Sequence, residues 1–228
     1  MRIPHGIFDQ SRRFVAQGGG GSFVDASGGT ITYDGDYKIH TFTSSGTLIV
    51  TTGGDVSTLL QGVGGSGGSY FPETGYRHAG GGGASGIVLE TTTTLTPGNK
   101  DVSIGAFPGG TVYFNGLSAA GGGNGTSGNY TTTGKGGSNS SYSGGGSSIY
   151  YVNSGGGGAG SRGNGNSSPP YAHAGRGGEG GAGYTSSISG SSVVYGQGGH
   201  GGTATNEYNA TNGSPGPAGV VIIRYKYK

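Results

Sequence analysis

The sequence predicts an all-β chain: a small antiparallel β-sandwich base carrying a bundle of polyglycine-II helices, left-handed with three residues per turn, and essentially no α-helix. Three observations predict it. Sixty of the 228 residues are glycine and only 29% are hydrophobic, too little apolar side chain for a conventional core of that length. Strand-like sequence is confined to a few blocks punctuated by turn dipeptides. In the tract GRGGEGGAGY, residues 175–184, the residues that interrupt glycine are Arg176, Glu179 and Ala182, three apart each time.

The strands come first in chain order. From Thr30 to Val63, Asp34-Gly35 is a hairpin-type turn between ITY and YKIHTFT, and Gly46 opens TLIVT. From Ile87 to Leu117, IVLETTTTL, DVSIGAF and TVYFNGL are separated by Pro97-Gly98 and Pro108-Gly109. In the last block, GVVIIRYKYK, residues Val220 to Ile223 are apolar on both faces before Tyr225 and Tyr227 alternate with Arg224, Lys226 and Lys228. That pattern describes a central strand emerging into solvent. About seventy residues of strand suffice only for a small sandwich. The predicted organisation is an N-terminal arm over 1–29, a β base with the first glycine tracts over 30–120, a glycine bundle over 121–218, and a C-terminal strand over 219–228 that returns to close the base.

The three-residue period recurs outside the opening tract. Residues 62–69 place Val63, Ser66 and Ser69 in this spacing, and residues 196–203 place Gln197, His200 and Thr203. A polyproline-II-type helix has three residues per turn and no internal hydrogen bonds, so every main-chain N–H and C=O points sideways and must find a neighbour when buried. Without a Cβ, glycine lets two edges of each helix approach others closely enough to bond. The third edge, carrying Arg176, Glu179 and Ala182, is expected to face outward. The all-glycine runs Gly80 to Gly83 and Gly155 to Gly158 belong in the interior. Ordering a residue costs roughly 1–2 kcal/mol of backbone entropy, so only cooperative lateral packing stabilises such tracts. Strict Gly-X-Y over long spans is absent, which excludes a collagen triple helix.

Composition excludes several classes. Twelve Lys and Arg against ten Asp and Glu give a net charge of +2, with no basic stripe for nucleic acid. Cysteine is absent, so no disulfide framework replaces the missing core. The N-terminal stretch lacks an apolar h-region, and no stretch approaches the length of a membrane span. The expectation is a product made in the cytoplasm and carried outward only by an assembly.

The segment GDYKIHTFTSSGTLIV (35–50), the glycine runs and the ending GPAGVVIIRY (216–225) together resemble the glycine-rich domain of bacteriophage tail and fibre proteins, over about residues 30–226. The glycine tracts also resemble the polyglycine-sandwich adhesins at the tips of long tail fibres, where a lattice of polyglycine helices displays variable loops to the host receptor. The resemblance implies a virion protein of tail or fibre, acting in host recognition; from the residues themselves no cofactor and no metal are expected. Its implied partners are other virion proteins and a host-cell surface receptor, either a glycan or an outer-membrane protein. Phage fibres are often threefold, and a homotrimer and a monomeric tip both remain open.

Between the glycine tracts lie short segments rich in Tyr, Ser, Gly and Asn, the composition of evolved binding loops. Tyr also stacks on sugars and aromatic groups. The candidate receptor contacts are Tyr70, Phe71, Tyr76, Tyr130, Tyr142, Tyr150, Tyr151, Tyr171, Tyr184, Tyr195 and Tyr208. Any one of them could instead cap a bundle end. Consecutive helices are expected to run in opposite directions, so about half of the connections would lie at one end. The candidate virion-attachment residues are Ile3, Ile7, Phe8, Arg12, Arg13 and Phe14 in the N-terminal arm.

In so glycine-rich a chain, motif matches carry little weight. GAGSRG (158–163) fits GxGxxG without a leading strand or following helix. GGSGG (64–68) places Ser66 on the edge of a glycine tract rather than at a nucleophile elbow, and TTTGKGG (131–137) lacks the residue after lysine that a P-loop needs. The five histidines have no ligand spacing, and nothing resembles a nucleophile with its acid and base, so no catalysis is expected. A structural or decorating virion protein without a receptor is the alternative function. Ice binding is a weaker one, because Arg176, Glu179, Gln197 and His200 would make any flat face charged and uneven.

Overall fold

The computed structural model describes residues 23–70, 77–128, 134–146, 152–153, 155–167, 177–206 and 209–228. Among them there is no helix. The chain enters through β1 (Asp25–Ser27), β2 (Thr30–Asp34), β3 (Tyr37–Phe42), β4 (Gly46–Thr52) and β5 (Gly54–Gln61). An excursion containing the short β6 (Arg77–His78) leads to β7 (Val88–Leu95), β8 (Gly98–Ile104), β9 (Val112–Phe114) and β10 (Leu117–Ala119). The long glycine-rich stretch holds the short β11 (Val152–Asn153), β12 (Tyr184–Ser186), β13 (Val193–Tyr195), β14 (Ala204–Asn206) and β15 (Asn209–Ala210), and β16 (Val220–Lys226) ends the fold.

Two antiparallel five-stranded sheets form the base, one in the order β1-β4-β8-β9-β10 and the other β2-β3-β16-β5-β7. The C-terminal strand is central as its apolar sequence predicts, pairing Val221 with Phe42 on one side and with Leu60 on the other. Side chains from both sheets share one core: Leu48, Val102, Val112 and Phe114 from the first sheet meet Val56, Leu60, Val221 and Ile223 from the second. At about 25 cal/mol per Å² of apolar area removed from water, this cluster is the main hydrophobic contribution. Inside it, the His40 Nδ1–H donates to the Gly28 carbonyl (2.7 Å), and the Tyr225 hydroxyl donates to His40 Nε2 (2.8 Å). The Ala26 N–H donates to the same hydroxyl at 3.0 Å. Sheet alternation puts His40 and Tyr225 on the inner face, and the strand register makes them diagonal neighbours.

A second cluster lies on the other face of the C-terminal sheet, where Ile39, Leu59, Val88 and Ile222 are covered by Ile188 and Tyr195. These last two belong to the β12–β13 hairpin, so the stretch 184–196 is no free connection between glycine tracts but a lid on the base. Arg224 fastens it, donating to the Ile188 carbonyl (3.4 Å) and pairing with Asp34 at 2.7 Å.

The glycine tracts are joined laterally, main chain to main chain. Along Gly80–Ser85 the N–H groups go in turn to Thr211, Thr126 and Gly156, and then to Ser214, Gly123 and Ala159. The destinations therefore repeat every three residues among segments 211–219, 120–128 and 155–161. The carbonyls of Ala79–Ala84 accept in the same rhythm from segments 134–139, 196–203 and 62–70, so 79–87 is bonded to six others. Segment 155–161 likewise donates to 196–203, 134–139 and 163–167 and accepts from 177–183, 79–87 and 143–146. These bonds arrange ten segments in three rows. The outer rows are 120–128, 134–139, 143–146 and 211–219, 196–203, 177–183; the middle row is 62–70, 79–87, 155–161, 163–167.

Space selects glycine at the centre. A Cβ on Gly82 would overlap the Gly199 carbonyl oxygen, and one on Gly158 would overlap that of Gly83. Both all-glycine runs are buried, as the sequence predicts. Glu179, Ala182, Gln197 and His200 are exposed as expected, whereas Val63 is buried in the first core cluster, where its segment leaves the sheet.

Two organisational expectations change. β1 lies within the stretch assigned to the N-terminal arm, yet it pairs with β4 as part of the base. The boundary at 120 also divides segments 62–70 and 79–87 from the later tracts to which they are bonded, because lateral bonding ignores distance along the chain.

Candidate functional site

Direction along the segments gives the molecule two poles. Segment 62–70 leaves the sheet at Gln61 and runs antiparallel to 79–87, as the bonds from Gly62 to Ile87, from Gly65 to Ala84 and from Gly68 to Gly81 show. Segment 79–87 then re-enters the sheet at Val88. Segments 134–139, 155–161, 177–183 and 211–219 run parallel to 79–87, and the others run opposite. The described residues that flank 71–76, 129–133, 147–151, 168–176 and 207–208 therefore all lie at the pole remote from the sheets. The described N-terminal and C-terminal residues lie at the other: Asp25 pairs with Thr52, and Lys226 with Tyr37, at the ends of strands away from the glycine segments.

At the remote pole the segment ends are tied together. β6 pairs in parallel with β11, β14 pairs with β15 in a hairpin, and these four strands touch one another. His78 is buried there, and burial holds its imidazole below the ordinary histidine value. Tyr70 is 38% exposed, and its N–H donates to Asn212 Oδ1 at 3.0 Å. Phe71, Tyr76, Tyr130, Tyr150, Tyr151, Tyr171 and Tyr208 lie outside the described residues, as do Arg176 and the attachment candidates Ile3, Ile7, Phe8, Arg12, Arg13 and Phe14.

The remaining three tyrosines are at the sheet end. Tyr142 is half-buried in a turn held by Asn139, whose Oδ1 accepts from the N–H groups of Ser141 and Tyr142. Tyr184 is half-buried with the Arg162 guanidinium 4.5 Å above its ring. The Glu90 carboxylate favours its protonated hydroxyl and so raises the phenol pKa, because losing the proton would add a second negative charge beside it. Tyr195 is only 9% exposed and belongs to the second core cluster, so packing rather than recognition accounts for it.

A group of residues not singled out from sequence completes the platform. Where an outer segment lacks a neighbour, a small polar side chain takes that neighbour's place. Asn124 Oδ1 accepts from the Ser66 N–H (2.9 Å) while the adjacent Gly125 N–H donates to the Ser66 carbonyl. Asn164 and Gly165 close Ser143 in the same way. Thr126 Oγ1 accepts from the Lys135 N–H at 2.7 Å, Thr211 Oγ1 from that of Thr203 at 2.8 Å, and Ser127 Oγ from that of Ser69 at 3.1 Å. The recurring Asn-Gly and Ser-Gly pairs of the tracts were the available signal. These bonds hold the exposed rim without adding a further segment, and those at Ser69, Lys135 and Thr203 fix segment ends at the pole remote from the sheets.

No protein-family model matches the chain, and no curated protein matches it.

Proposed function

We propose that the glycine segments are polyglycine-II helices standing on a β-sandwich, and that the chain is a tail or fibre adhesin of a bacteriophage. It binds a host-cell surface glycan or outer-membrane protein through tyrosine-rich stretches at the pole remote from the sheets. The helix assignment is supported by the three-residue alternation of hydrogen-bond partners along Gly80–Ser85, which is what a three-edged helix requires. The observation that carries the function is polarity. The stretches holding Phe71 and Tyr76, Tyr130, Tyr150 and Tyr151, Tyr171, and Tyr208 are all flanked by described residues at that one pole, beside exposed Tyr70. Residues 1–22 precede a strand at the opposite pole, which suits attachment to a carrier there. Lateral bonding holds the segment ends that flank these stretches in place, and a rigid support lowers the cost of association.

Replacing 71–76, 129–133 and 168–176 by Gly-Ser stretches of equal length tests this reading. The labelled protein should lose binding to cells of the strain that the phage infects while its melting temperature is kept. Tyr142→Ala and Tyr184→Ala should leave binding intact. Unchanged cell binding after the triple replacement would overturn the adhesin reading in favour of a decorating virion protein.

A further inference from the structure

The sequence contains four Asn-Gly pairs, at Asn115, Asn124, Asn164 and Asn212, and their surroundings differ sharply. An Asn-Gly pair carries latent chemistry: with no side chain on the second residue, its amide nitrogen can reach the asparagine side-chain carbon. In three of the pairs that nitrogen is committed to the lattice. The Gly125, Gly165 and Gly213 N–H groups donate to the carbonyls of Ser66, Ser143 and Gly68 at 2.8, 3.0 and 3.0 Å. The same three asparagines hold their Oδ1 atoms on the N–H groups of Ser66, Ser143 and Tyr70. Both reacting groups are thus anchored to a neighbouring segment, and closing a ring would break two hydrogen bonds at once.

Asn115-Gly116 is different. It forms the two-residue turn between β9 and β10, with φ of 46° at Asn115 and 78° at Gly116. Gly116 is exposed, a Cβ placed on it would meet nothing within 4 Å, and among the described residues its N–H has no main-chain acceptor. The Asn115 amide reaches across to the edge of the other sheet, donating from Nδ2 to Thr93 Oγ1 (3.0 Å) and to the Thr94 carbonyl (3.3 Å).

We propose that Asn115 is a deamidation site of the folded protein, with water as co-reactant, and that the lattice keeps the other three Asn-Gly pairs intact. The Gly116 nitrogen gives its proton to solvent base and attacks Asn115 Cγ. The N–Cγ bond forms, the Cγ–Nδ2 bond breaks, and nitrogen leaves as ammonia after taking a proton from solvent. Water then opens the cyclic imide at either carbonyl, leaving aspartate or isoaspartate; one water is consumed, one ammonia is released, and nothing is oxidised or reduced. The product loses the amide donor that joins the β9–β10 turn to β7 and places a carboxylate beside the Thr94 carbonyl. The base is the part that loosens.

The test is incubation of the full chain at mildly alkaline pH and 37 °C, followed by peptide mapping with separation of the isoaspartate form. The expected result is loss of Asn115 with retention of Asn124, Asn164 and Asn212, and loss of all four in a parallel sample held unfolded in urea. Loss of a lattice asparagine before Asn115 would overturn the proposal, and so would retention of Asn115 in the folded sample alongside its loss in urea. Asn115→Asp, as a stand-in for one product, should melt at a lower temperature than the parent, whereas an unchanged melting temperature would overturn the structural consequence.

Discussion

His40 illustrates what a buried polar group contributes. It is fully buried, and burial pushes its pKa below the ordinary value of about 6.5, outweighing the Gly28 carbonyl and Asp25, which favour the charged form, while Lys38 adds to the depression. The unfolded chain therefore binds more protons than the folded one in mild acid. The contribution of His40 is present in full above pH 6.5 and is lost as the pH falls from there through the depressed folded value. Urea unfolding at pH 7.5 and 5.5 should show lower stability at 5.5, and His40→Gln should flatten that difference while lowering stability at both. Tyr225→Phe leaves His40 Nε2 and the Ala26 N–H without their partner, at a cost of about 1–3 kcal/mol. In the lattice the single residue acts through space. Gly82→Ala forces a methyl into the Gly199 carbonyl and should cost about 1–3 kcal/mol or more. Gly146→Ala meets only the Ser167 hydroxyl at 3.4 Å and should fall within about 0.5 kcal/mol of the parent. Denaturant midpoints of the two variants compare them directly.

For the glycine segments, stability is collective. Each main-chain bond contributes only about 0.5–1.5 kcal/mol net, yet a central segment such as 79–87 is bonded to six others, so it opens only when several neighbours do. Amide exchange should follow that ordering. The N–H groups of Gly82, Gly83, Gly156 and Gly158 should exchange near the rate of global unfolding, and those of the rim, such as Ser66 and Ser143, markedly faster, as read by heteronuclear NMR. Equal exchange across centre and rim would contradict the collective picture. Proline fits the same logic: Pro215 lies in the outer segment 211–219 between Ser214 and Gly216, whose N–H groups donate to His200 and Gly65, on the remaining edge where a residue with no N–H to satisfy is tolerated.

Across the whole molecule, sheets and lattice interleave: segments 62–70 and 79–87 connect β5 to β7, and 211–219 leads into the central β16. Thermal unfolding should therefore be a single transition, with the tyrosine signal of the base and the amide signal of the lattice coinciding, and Gly158→Ala should lower both together. Removal of residues 1–22 should leave this transition in place, since the described core begins at Val24. The sequence by itself determined the long strands of its three apolar blocks, the central place of Val220–Ile223, the all-β class, and the interior position of Gly80–Gly83 and Gly155–Gly158. Alternation, turn dipeptides and the absence of side chains are local properties that act wherever the chain goes. Only the tertiary structure decided which segments lie side by side, that Tyr195 is core while Tyr70 is exposed, that β1 belongs to the base, and that Asn124, Asn164 and Thr211 close the rim. Those outcomes depend on which main-chain groups meet after folding, and a lateral bond between chemically identical glycines leaves no mark in the sequence to say with whom it is made.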